Sequence, residues 1–181
     1  MKVLVCALLL YLCPLSISLA QDAPKPRESP LDIVTAHYKN SYLKITYCQP
    51  KKNGREVFGK LVPFEKVWRT GANEATEVTT TQDISVNQAT LKAGTYSLFT
   101  IPGKEKWTII FNSDLGLWGA YNYNPKMDVL RFDVAATPTL DNLICESFTI
   151  RIDQKTDTAE ISLLWDKTQV SFPIRFIEAQ P

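Results

Sequence analysis

The stretch Leu43-Lys44-Ile45-Thr46-Tyr47 alternates apolar and polar residues strictly, and this period of two constrains the chain more than any other feature. Successive side chains of an extended strand point to opposite faces, so such a run has one buried and one wetted side. A helix, which needs apolar positions three and four apart, cannot use the pattern. Similar texture returns in "DIVTAHY", "TEVTTT", "DISV", "DVLRFDV", "ESFTIRID", "AEISLLWD" and "QVSFPIRF". "TYSLFTI" and "WTIIFN" flank Pro102-Gly103-Lys104 and read as a hairpin with β-branched and aromatic arms. No stretch is spaced for a long helix, and one turn near Pro63 to Val67 is the upper limit. Roughly nine short strands between turn signals predict an all-β, single-domain antiparallel β-sandwich, with a β-barrel as the alternative.

The leading residues set the expected compartment. Lys2 precedes the apolar run Val3 to Leu12, and Ser18-Leu19-Ala20 supplies the small residues of a cleavage site. Residues 1–20 are therefore expected to be a signal peptide cleaved after Ala20, giving a periplasmic or secreted protein. The apolar run is shorter than the ~20 residues a bilayer-spanning helix needs, and no membrane span is expected in the mature chain. Residues 21–31, proline-rich and polar, read as a tether, and 32–177 as the β-sandwich domain.

Loss of Lys2 with the leader takes the formal charge from +1 to neutral, which leaves no cationic surplus for nucleic acid. A hydrophobic share of 45% argues for a packed core rather than a disordered chain. No cofactor or metal is expected, because phosphate-loop and dinucleotide motifs are absent and His37 is the single histidine. His37 itself reads as a partly buried strand residue. Cys48 and Cys145 remain after cleavage, either as a disulfide joining an early strand to a late one or as two separate thiols.

The segment Val67 to Thr76, "VWRTGANEAT", is the leading candidate site. Arg69 offers a planar fork for carboxylate or phosphate oxygens, Asn73 donates and accepts, and Glu74 accepts when ionised. Trp68 offers a flat apolar wall, and Gly71 a backbone conformation closed to other residues. The competing structural reading has Trp68 in the core and Arg69 paired with Glu74 or Glu77 across a bend. A second group, "LGLWGAYNYNP", puts Trp118, Tyr121 and Tyr123 in a loop suited to stacking on a carbohydrate. The favoured function is non-catalytic binding of a small polar ligand or glycan fragment by Trp68, Arg69, Asn73, Glu74, Trp118 and Tyr121. The alternatives are a hydrolase with Glu74 as general acid or base, and an envelope module that binds another protein.

"FGKLVPFEKVWRTGANEATEVTTT", Phe58 to Thr81, and "LKAGTYSLFTIPGKEKWTIIFN", Leu91 to Asn112, resemble the exported bacterial family catalogued as domain of unknown function 2911. The likeness runs from about Asp32 to Phe176. It implies export and a single domain, and it implies no reaction. Against that family's pattern, Cys48-Gln49-Pro50 stands for serine-arginine-proline, Asn87-Gln88 for an asparagine-glycine turn, and Lys92 for proline.

Overall fold

The computed structural model describes residues 25–178; the predicted leader and the first residues of the tether lie outside them. Eleven strands form: β1 (Leu31–Tyr38), β2 (Ser41–Cys48), β3 (Thr76–Thr80), β4 (Ile84–Val86), β5 (Ala89–Leu91), β6 (Gly94–Pro102), β7 (Lys106–Asn112), β8 (Asp128–Pro138), β9 (Cys145–Lys155), β10 (Thr158–Asp166) and β11 (Thr168–Phe176). The short β5 is the strand not expected from the sequence. The turn near Pro63 to Val67 is not helical, since Glu65 sits at φ 57°. Single turns of 3-10 helix occur instead at Pro125–Met127 and Leu140–Asn142.

The strands make one antiparallel sheet in the order β1-β2-β3-β6-β7-β8-β11-β10-β9, with the β4–β5 hairpin attached to β11. Its two ends return toward each other. Beyond β2, Lys51 lies opposite Ser147 of β9, the Phe148 N–H reaches Pro50 O at 2.9 Å and the Lys52 N–H reaches Glu146 O at 2.8 Å. The sheet is thus almost closed on itself, an arrangement that both the sandwich and the barrel description fit.

Leu43, Ile45 and Tyr47 face inward from β2, as the alternation requires, and meet Trp107, Ile109 and Phe111 of β7, Phe148 of β9 and Phe172 of β11 in the main core. The β6–β7 hairpin departs from alternation because it is covered on both faces. Leu98 and Ile109 join the main core, whereas Phe99 and Ile110 face outward and are covered by Ala75, Leu117, Ala120 and Tyr123. The loop after β7 is therefore pinned over the hairpin by apolar burial, and this brings the two candidate stretches together.

Candidate functional site

The bend before β3 is built from one bridge to β6. The Trp68 N–H donates to Thr100 O at 2.7 Å, and the Thr100 N–H returns a bond to Trp68 O at 2.9 Å. That pairing aims Trp68 inward. Its indole is 7% exposed, stacks on Trp165 at 5.8 Å, meets Phe148 edge-on, and donates Nε1–H to Gly71 O. The ring of Trp68 is thus packed in the core, while the residue also forms part of the wall of the cavity that Arg69 lines.

Gly71 also differs from expectation, because Thr70 and Asn73 hold the positive φ angles, 54° and 59°. Glycine is favoured at 71 by proximity: a Cβ there would sit 3.0 Å from the Cys48 carbonyl oxygen, a tight contact with backbone. The Thr76 hydroxyl closes the bend by donating to Thr70 O at 2.7 Å.

The loop after β7 docks on this bend through its backbone. The Ala75 N–H donates to Leu117 O, and the Gly119 N–H to Asn73 O, at 2.8 and 3.0 Å. Trp118 and Tyr121 stand outward at 60% and 84% exposure. Tyr123 instead folds under the loop, edge-on to Phe99, with its hydroxyl donating to Asp128. The Asn73 amide is directed to the N-terminal segment, donating to Ser29 O at 3.4 Å.

Arg69 and Glu74 are turned apart into separate concavities. Glu74 lines a cavity of ≈ 460 Å³ together with Tyr47, Cys48, Ala75 and Glu77. Its partner is Arg27, whose two terminal nitrogens donate to the carboxylate at 2.7 and 2.9 Å. That fork, ahead of Glu74's own N–H, holds the carboxyl below its usual pKa. Glu77 accepts from the Gly116 N–H at 3.3 Å. Neither carboxylate meets Arg69, so the pairing that would have made Arg69 a simple bend-closing residue is not formed.

Arg69 lines a cavity of ≈ 280 Å³ with Lys66, Tyr121, Pro63 and Leu61, and no acidic residue is among those lining it. Its Nε is buried and has no hydrogen-bond partner among the described residues. Burial lowers the guanidinium's pKa, against smaller opposing effects from Tyr121 and Cys48. A partly desolvated cation beside a second cation, with no acid in the cavity, is a ready receptor for an anion. Lys66 and Arg27 escaped sequence reasoning: Lys66 sits in an irregular connection, and Arg27 in a segment that read as a plain tether.

Cys48 is buried and Cys145 partly exposed, both as free thiols, so the disulfide reading is not realised. His37 lies exposed on β1 rather than half-buried, and the Gln154 side chain binds its backbone N–H and carbonyl. Among the described residues, no group of three or more His, Cys, Asp or Glu could hold a metal ion, and no helix is long and apolar enough to cross a membrane.

No curated protein and no solved structure matches the chain. A family model described as a protein of unknown function matches residues 29–174, which takes in the walls of both cavities and leaves out Arg27. The chain belongs to that family, DUF2911.

Proposed function

We propose that this protein is an exported, non-catalytic binder of a small anionic ligand, such as a sugar acid or another organic carboxylate, held in the Arg69 cavity. The observation that carries the reading is the partly buried Arg69 guanidinium, which lines a cavity with no carboxylate in it. Lys66 adds a second positive charge, and the outward Tyr121 ring gives an apolar edge on which a sugar face can rest. A cavity of ≈ 280 Å³ falls just below the usual ~300–1,000 Å³ range for ligand sites, which favours a ligand of one ring or less. The hydrolase reading gains no support: the pKa of Glu74 is pushed down by Arg27, away from the neutral range where a carboxyl both gives and takes protons.

Calorimetric titration of the purified protein with glucuronate, acetate and phosphate tests the proposal. Saturable binding of at least one anion is expected, weakened about tenfold or more, roughly 1.4 kcal/mol, in a folded Arg69→Gln protein. Equal binding by that variant, or no saturable binding of any of the three, would overturn it.

A further inference from the structure

The larger concavity beside the bend is lined in part by a side chain from outside the strand framework. Arg27 precedes β1, and its guanidinium places two nitrogens on the two oxygens of Glu74, at 2.7 and 2.9 Å. The same guanidinium approaches Cys48 Sγ at 3.7 Å, and the Cys48 thiol donates to Glu74 Oε2 at 3.7 Å. Tyr47 and Ala75 supply apolar wall, and Glu77, tied to the Gly116 N–H, adds a second carboxylate to the lining. A flat two-oxygen acceptor, a further negative charge and apolar sides are what a planar two-pronged cation requires.

We propose that this ≈ 460 Å³ cavity is a binding site for a guanidinium group, and that Arg27 is an intramolecular stand-in which an incoming guanidinium displaces. The site is distinct from the Arg69 cavity and does not depend on it. Displacement is cheap for two reasons. The Arg27–Glu74 pair is about half exposed, 52% and 43%, and exposed pairs are weak. The segment's other ties, Ser29 O to Asn73 and Pro30 O to the Gln49 N–H, lie on the β1 side of Arg27 and survive its release.

A tethered occupant competes at an effective concentration on the order of millimolar. Removing it should therefore expose the intrinsic affinity of the cavity. The test is an NMR titration of the purified protein with ethylguanidinium and, in a second arm, with a capped peptide bearing one arginine. Arg27→Gln should bind ethylguanidinium about tenfold tighter than the unaltered chain, with shifts centred on the Ala75 and Gly116 amides. Glu74→Gln, which keeps the side-chain shape, should abolish those shifts. In the unaltered chain the titration should move the Arg27 Nε–H resonance to the position of a solvated arginine. A peptide that binds more tightly than ethylguanidinium identifies a polypeptide source, and equal affinities a small-molecule source. Equal affinity of the Arg27→Gln and unaltered chains, or retention of binding in Glu74→Gln, would overturn the proposal, as would an Arg27 resonance unmoved at saturation.

Discussion

A guanidinium whose Nε is shut off from water, with no protein acceptor among the described residues, gives up hydration without recovering it in hydrogen bonds. An unsatisfied buried polar group of this kind costs about 1–3 kcal/mol, so Arg69 is an unfavourable choice if its only task is to complete a bend. Arg69→Met, which keeps the aliphatic stem and removes the charge, should therefore leave stability unchanged or raise it by up to about 1–3 kcal/mol. Urea unfolding checks this, and a clear loss of stability would return Arg69 to a structural role. Arg69 and Glu74 stand out in the sequence as charged neighbours, but their closeness along the chain does not make them partners. The positive φ angles at Thr70 and Asn73 send the two side chains into different cavities. The true partner of Glu74 lies 47 residues earlier, in a stretch with no local pattern to mark it.

At the level of strands and turns, alternation was legible wherever one face of the sheet is wet, as in β2 and β8. It was weaker in the β6–β7 pair, where the overlying loop buries the outer face too, and there β-branched and aromatic content carried the signal. β5 left no trace because its three residues, Ala89–Leu91, lack the β-branched apolar pair that marks the equally short β4, Ile84 and Val86. What creates that strand is its turn: Val86 pairs with Ala89, so Asn87 and Gln88 form a two-residue connection, at φ 45° and 71°. Left-handed backbone costs a residue with a Cβ about 1–2 kcal/mol, and Asn tolerates it better than Gln. The resemblance noted in the sequence has glycine where Gln88 stands. Gln88→Gly should thus stabilise the protein, less about 0.4–1 kcal/mol for the freer unfolded chain. The net expectation is a gain of up to about 1 kcal/mol, or roughly 2–4 °C in melting temperature by calorimetry. A lower melting temperature would show that the Gln88 side chain makes up for its backbone.

Closure of the whole sheet rests on few fastenings, since β1 and β9 approach each other without pairing in a regular ladder. Besides the backbone bonds beyond β2, the Tyr47 hydroxyl crosses the seam. It accepts from the Ile150 N–H of β9 at 3.0 Å and donates to Asp32 of β1 at 2.9 Å. Burial, reinforced by Asp32 and opposed by the Ile150 N–H, pushes the Tyr47 pKa up to about 12. A folded-state pKa above the unfolded value means that the folded chain holds the proton more tightly. The associated stability is full below pH 10, the ordinary tyrosine value, and is lost as pH rises through about 12. Tyr123, raised to about 12 chiefly by burial and then by Asp128, adds to the same alkaline limb. Tyr47→Phe strips the Ile150 N–H of its acceptor and should cost about 1–3 kcal/mol at neutral pH. The variant cannot lose what it no longer has, so its stability should fall less steeply than that of the unaltered chain between pH 10 and about 12. Urea unfolding of both proteins across that window would show the two curves converging. Curves that stay parallel would mean that the hydroxyl closes the sheet through packing alone, with its proton held no differently in the folded and unfolded chains.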